Sequence, residues 1–319
     1  MRSRFVEQWI AAALQESPVR ANSLIITVFG DSIAPHGGTV WLGSLIRLVV
    51  PLGLNPRVVR TSVFRLSRES WLQSEQIGRR SYYSLTAAGR RRFEHAYRRI
   101  YFAPKNGWDG DWQIVISTGS GLSAAQRDTM RKELLWGGFG AIAPGILAHP
   151  SADPDGLLDV LRGTGVHDKV VVLKARNIGP LTSRPLAELV RACWNLESIA
   201  AGYRRFVERF RPLLRALRNA RNRDPQQCFA VRTLLIHEVR RVLLRDPQLP
   251  AQLLPSDWPG AVARQLCRDL YLVTYREAER HLHATLETAT GALPHAEPDF
   301  YERFGGLPPQ VSPGAGRVP

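Results

Sequence analysis

Residues 41 to 72, WLGSLIRLVVPLGLNPRVVRTSVFRLSRESWL, constrain the fold of this chain more than any other stretch. In WLGSLIRLVV, Leu42, Leu45, Ile46, Val49 and Val50 share one helical face, and Pro51 ends that helix. The PLGL link holds Gly53 for a tight turn. Asn55 then offers an N-cap side chain, and Pro56 sits where its missing N–H costs nothing, so a second helix starts there. Two helices joined by so short a glycine-containing turn read as a helix-turn-helix.

The second helix is unusual in its charge. At about 100° per residue, Arg57, Thr61, Phe64, Arg65 and Arg68 share one side, with Arg60 at its margin. Val59, Val63 and Leu66 fall on the opposite, core side. A solvated helix face normally alternates charge signs, yet the only acid here is Glu69, near the end. WLQSEQI, GRR and SYYSL then read as a hairpin whose tip carries Arg79 and Arg80. LIITVFGDSI, residues 24 to 33, supplies the first helix of the small core.

The order helix, helix, turn, helix, basic hairpin is that of a winged helix-turn-helix. Its recognition helix buries one face on its own domain and offers cationic or methyl-sized groups to a DNA groove. Arginine binds guanine edges bidentately, Thr61 and Phe64 suit thymine methyls, and hairpin arginines suit phosphates or the minor groove. The alternative is a solvated arginine-rich face beside an unrelated hairpin, with Phe64 in the core.

Charge distribution agrees with the first reading. The formal charge is +15, and residues 1 to 100 hold 15 arginines against six acids, or +9. Residues 101 to 200 balance at ten against ten, and residues 201 to 319 hold 18 bases against 12 acids. Only four of the 43 basic residues are lysine, a general arginine bias, so charge alone supports only weak, salt-sensitive binding to polyanions. The length of 319 residues suits two or three domains. Cys193, Cys228 and Cys267 fit no zinc spacing and are odd in number, which points to a reducing cytoplasm. MRSRFVEQWIAAAL is interrupted by Glu7 and lacks a cleavage site, so no signal peptide is expected. No apolar run approaches the ~20 residues of a membrane span.

Beyond APKNGWDGDW, a turn-rich link, the chain changes character. WQIVIS, FGAIAPGILA (broken by Pro144 and Gly145) and KVVVLKA read as strands, with helices at SAAQRDTMRKELLW and DGLLDVLRG between them. That alternation suggests a small ferredoxin-like α/β module. Gly119, Gly121 and Ala124 mimic a dinucleotide fingerprint, but no acid follows the next strand, so a glycine turn is the better reading. His237-Glu238 lacks the second histidine of a zinc-protease motif, and neither a nucleophile elbow nor a P-loop occurs. From about residue 183 the chain reads as helical. The eight arginines between 204 and 223 form either a solvated or dimer face, or an anion-binding surface.

NSLIITVFGDSIAPHGGTVWLGSLIRLV, NPRVVRTSVFRLSRESWL, GDWQIVI and RTLLIHEVRRVLLRDPQLPAQLLPSDWPG together resemble the PaaX family, bacterial repressors of phenylacetate degradation. The resemblance covers about residues 20 to 302. It implies an α+β multidomain chain: a winged helix-turn-helix domain over 20–103, a Cas2-like ferredoxin fold over 104–180, and a helical domain over 181–302. The Pro/Gly-rich composition of the end adds a disordered tail, 303–319. The resemblance also implies a non-enzymatic, cofactor-free homodimer that leaves double-stranded operator DNA when phenylacetyl-CoA, or a related acyl-CoA, binds. Arg57, Arg60, Thr61 and Arg65 match its recognition-helix motif. Similar proteins carry a glycine before the tryptophan where this chain has Ser70, which bears on the helix-to-wing turn.

A CoA thioester needs arginines at a rim and an apolar pocket beyond. Arg232, Arg240 and Arg241 beside His237, with Trp258 in the proline-rich corner, are the candidates. Arg240 and Arg241 read equally as solvated, and His237 and Trp258 as core. An enzyme built on the α/β module, or an RNA-binding or scaffold protein, are the competing functional classes.

Overall fold

The computed structural model describes residues 3–16, 20–103, 107–119, 121–179 and 185–308. These divide into two compact units. One holds residues 1–103, 205–240 and 262–319; the other holds 104–204 and 241–261. Three long helices, α9 (Leu196–Asn219), α10 (Pro225–Leu243) and α11 (Gly260–Thr285), contribute residues to both.

The first unit opens with α1 (Arg4–Glu16) and α2 (Ala21–Val28). The end of α2 widens into a π-helical turn, Phe29–Ile33, in which every residue is buried. β1 (Thr39–Trp41) follows and leads into α3 (Leu42–Val49). As Pro51 dictates, α3 ends in a tight turn at Val50–Leu52, and Gly53 reverses the chain at φ +79°. α4 (Pro56–Arg68) starts where Asn55 accepts a hydrogen bond from the Val58 N–H at 2.9 Å. The axis bends by 118° between Leu42–Leu52 and Pro56–Arg68. That lies within the range of helix-turn-helix pairs.

β2 (Leu72–Ile77) and β3 (Arg80–Leu85) form the hairpin, turning through Gly78 at φ +61° and Arg79. A glycine with positive φ at the first turn position matches the right-handed strand twist. β1 was not expected from the sequence. It pairs antiparallel with β3, giving a three-stranded sheet in the order β1-β3-β2. α5 (Ala87–Tyr101) follows. Its Phe93 ring lies against Gly30, where an added Cβ would come within 1.7 Å of a ring carbon. A short β8–β9 ribbon (Glu287–Thr288 and Gly291–Ala292) and α12 (Pro298–Tyr301) complete the unit.

The second unit is built on β4 (Asp111–Ile116), α6 (Ala124–Trp136), β5 (Gly140–Ala143), β6 (Ile146–His149), α7 (Pro154–Gly163) and β7 (Val171–Arg176). Its antiparallel sheet has the order β5-β6-β4-β7, the ferredoxin-like βαββαβ arrangement. FGAIAPGILA is thus two strands of a hairpin, not one broken strand, because Gly145 supplies the positive φ of the turn. One core lies among Val115, Met130, Leu134, Leu147 and Leu161. A second, around Trp112, Trp194 and Leu253, includes α8 (Leu186–Cys193).

The expectation of a disordered tail from residue 303 is corrected for residues 303–308. Arg303 is fully buried, and Phe304 and Leu307 are core residues. Residues 309–319 lie outside the described part. Among the described residues no single helix is long and apolar enough to cross a membrane.

Candidate nucleic-acid interface

α4 sorts its side chains as the sequence pattern requires. Val59, Ser62, Val63 and Leu66 are buried against the unit, each apolar one contributing about 1.5–3 kcal/mol. Arg57, Arg60, Thr61, Phe64, Arg65 and Arg68 are all exposed. Phe64 is 62% exposed, so it belongs to the outer face and not to the core. The Thr61 hydroxyl donates to the Arg57 carbonyl at 3.0 Å, which leaves its methyl for an outside partner. Among the described residues, Arg57, Arg60, Arg65 and Arg68 form no ion pair. Four guanidiniums on one unneutralised helix face, with a threonine and an exposed aromatic ring between them, suit a polyanion with apolar groups between its charges.

The end of α4 is fixed by its own backbone. The N–H of Trp71 donates to the Leu66 carbonyl at 2.9 Å and that of Ser70 to Ser67 at 3.1 Å, with Ser70 at φ +56°. This is a left-handed helix stop of the kind glycine favours. The Thr86 hydroxyl then donates to the Ser70 carbonyl at 2.6 Å, tying the far end of the hairpin back to the same turn.

The hairpin tip differs from expectation in one residue. Arg79 is exposed in the turn, but Arg80 begins β3 and is already engaged. Its guanidinium lies 4.2 Å from the Trp41 ring centroid and 3.0 Å from Glu287, which also holds Arg47 at 2.6 Å. Arg80 is therefore a strut between β1, β3 and β8. No local signal announces this, because Glu287 lies 207 residues away. The first turns of α5 add exposed Arg90, Arg91 and Arg92, which sequence reasoning passed over; Arg92 stacks on Trp71 at 5.1 Å.

Among the described residues, four of the eight arginines between 204 and 223 have protein partners, including Arg204 with Glu197 at 2.9 Å, while Arg205, Arg211, Arg215 and Arg221 are exposed. Arg209 donates to the Ala13 carbonyl, Arg218 pairs with Asp269 at 2.8 Å, and Arg223 donates to the Leu217 carbonyl.

The effector candidates fall in different places. Arg232, His237 and Arg240 belong to the first unit, Arg241 and Trp258 to the second. Arg232 is not a rim residue: it is fully buried, 3.0 Å from Asp31 and 2.6 Å from Glu279, and donates to Ser32 at 2.9 Å. A guanidinium so deeply buried needs carboxylates on both sides, and it has them. Burial opposes ionisation of Glu279, but the neighbouring Arg232 guanidinium outweighs it, and the carboxyl is drawn down to about 2. His237 is buried and shares a hydrogen bond with the Thr27 hydroxyl at 3.0 Å. Arg240 donates to the Ser23 hydroxyl at 2.6 Å. Arg241 is exposed, and Trp258 packs edge-on against Tyr203 with 6.0 Å between centroids.

Comparison with known proteins follows the same division of the chain. Residues 20–89 match the family described as PaaX-like protein, residues 105–187 the PaaX protein central Cas2-like domain, and residues 194–284 the PaaX-like protein C-terminal domain. The chain is 40% identical over 303 residues to the transcriptional repressor PaaX of Escherichia coli (strain K12), spanning 95% of each chain. It is also similar to a solved structure, the uncharacterized protein Rv0674 of Mycobacterium tuberculosis. That match has 27% identity and a TM-score of 0.50, and covers 81% of this chain and 96% of the other.

Proposed function

Because this chain belongs to the PaaX family, we propose that it is a transcriptional repressor, not an enzyme, that binds double-stranded operator DNA. In this reading α4 is the recognition helix of a winged helix-turn-helix and the β2–β3 hairpin is its wing. The observation that carries it is the outer face of α4, where four arginines stand without a carboxylate partner among the described residues. Arg57, Arg60 and Arg65 read base edges, Thr61 and Phe64 meet methyl groups, and Arg68 and Arg79 hold phosphates. Such a protein works in the cytoplasm beside the chromosome.

The repressor acts as a homodimer on two half-sites related by a two-fold axis. β7 supports this. Among the described residues it is an edge strand paired only with β4, and Val171, Val172 and Leu173 are all exposed. An apolar edge open on both faces invites a second strand, and a second copy of the same edge satisfies it symmetrically.

Release follows binding of phenylacetyl-CoA or a related aromatic acyl-CoA. The ligand must bind the DNA-incompetent arrangement more tightly, since equal affinity for both would shift nothing. With Arg232 committed to a buried network, Arg241 and Trp258 are the better-placed candidates. One gel-shift titration tests the reading: the protein on its own upstream DNA, with phenylacetyl-CoA or with phenylacetate. Release by the thioester alone is expected, with two chains per site by light scattering. Release by phenylacetate, or by neither compound, contradicts the effector; failure to shift the DNA contradicts the repressor.

A further inference from the structure

The first unit contains a second cluster that the DNA-binding reading does not use. His36 closes the turn after the π-helical segment and is buried to 1% exposure; Glu279 and His283 lie one helical turn apart on α11. One donor atom from each of the three lies within 4.8 Å of the others.

Hydrogen bonding around His36 is unbalanced. Its Nδ1 lies 2.8 Å from the Pro294 carbonyl, which only accepts, so Nδ1 carries the proton. In the neutral ring Nε2 is then a bare lone pair. It faces Glu279 Oε2 at 2.9 Å, and a carboxylate is likewise only an acceptor. A proton on Nε2 would not repair this well, because a hydrogen placed in the ring plane there finds no acceptor in line. The second histidine, His283, places one ring nitrogen within 4.8 Å of the His36 nitrogen and the Glu279 oxygen. His36, with one nitrogen bonded to a backbone carbonyl and the other turned toward a carboxylate, repeats the outer-sphere pattern of metal-bound histidines.

We propose that His36, Glu279 and His283 bind a first-row divalent transition metal, Zn²⁺ foremost, through two imidazole nitrogens and one carboxylate oxygen. Two nitrogens and one oxygen suit zinc with a fourth position left to water, whereas calcium and magnesium favour all-oxygen sites. Glu279 divides its two oxygens: Oε1 holds Arg232 at 2.6 Å, and Oε2 faces the metal position. The metal clasps the Ala34–His36 turn, which follows α2, to α11 and to the 293–294 segment. His295 stacks 5.7 Å from His283 but is exposed, and it serves as the control.

The test uses full-length protein without a histidine tag, stripped with chelator and re-equilibrated with Zn²⁺. Elemental analysis and competition against a fluorescent chelator give stoichiometry and affinity; Co²⁺ reports coordination by its visible absorption. One ion per chain is expected in the wild type and in His295→Gln. His36→Gln and His283→Gln should lose at least about 10–100-fold in affinity and the Co²⁺ band. His283→Gln carries the decision if His36→Gln fails to fold, since His283 is only half-buried. Absence of stoichiometric metal in the wild type, or unchanged affinity in a folded His283→Gln, overturns the proposal.

Discussion

Asp31 Oδ2 lies 3.0 Å from Arg232 Nε, and neither side chain exposes more than 1% of its surface. The other oxygen of Asp31 accepts from the hydroxyls of Tyr101 at 2.6 Å and Tyr271 at 3.0 Å, and lies 3.1 Å from Arg303. A single carboxylate from the π-helical turn thus ties together α5, α10, α11 and the segment after α12. Removing it leaves buried guanidiniums short of a counter-charge. Asp31→Asn should cost about 3–5 kcal/mol of unfolding free energy, read by urea denaturation. A loss under 1 kcal/mol would mean that Glu279 alone suffices to balance the cluster.

The hairpin arginines separate by role. Arg79→Ala should weaken binding to operator and random DNA alike and lower the salt slope by about one. Arg80→Ala should not change the slope in that way, because its guanidinium is held by Glu287 and Trp41. Its cost should appear as a stability change of about 0–1 kcal/mol, as for other solvent-exposed ion pairs. Equal slopes for both variants would return Arg80 to the DNA surface.

Ser70 sits at φ +56° where the chain leaves α4. An L-residue in that region costs roughly 1–2 kcal/mol, and glycine returns about 0.5–1 kcal/mol of that as chain entropy. Ser70→Gly should therefore stabilise the protein by about 0.5–1 kcal/mol, since the Ser70 backbone groups keep their bonds. A lower thermal midpoint would show that the serine side chain contributes more than the strain costs.

Burial separates the cysteines. It pushes the Cys228 thiol up to about 12 and raises Cys267 still further. Thiolate is the reactive form, so native protein at pH 8 should be alkylated at half-buried Cys193 and protected at the other two. Mass mapping that finds Cys267 modified at the rate of Cys193 would contradict the buried placement.

Much of α4 was legible because its signals are local: the Asn55-Pro56 start, Gly53 in the turn, and three apolar residues at helical spacing. Periodicity set Phe64 on the arginine side, but an aromatic ring suits the core as well, and the packed unit shows it outside. β1 escaped because three residues carry no pattern of their own and are held by pairing with β3. The burial of Arg232 and the ion pair of Arg80 escaped for the same reason. Their partners are distant in the chain, Glu279 by 47 residues and Glu287 by 207, and a charged residue shows burial only through such partners. The ordered 303–308 segment defeated composition, which counts prolines and glycines and cannot weigh one buried Arg303.

The central claim is that the exposed face of α4 reads sequence. Competition anisotropy at physiological salt, with the protein's own upstream DNA against a scrambled duplex, tests it most directly in the wild type and in Arg57→Ala, Arg60→Ala and Arg65→Ala. The wild type should prefer its own DNA by about 10³-fold or more. At least one variant should lose about 1–3 kcal/mol on the operator and far less on the scrambled duplex. Equal wild-type affinity for the two duplexes, or equal losses on both in every variant, would contradict the account.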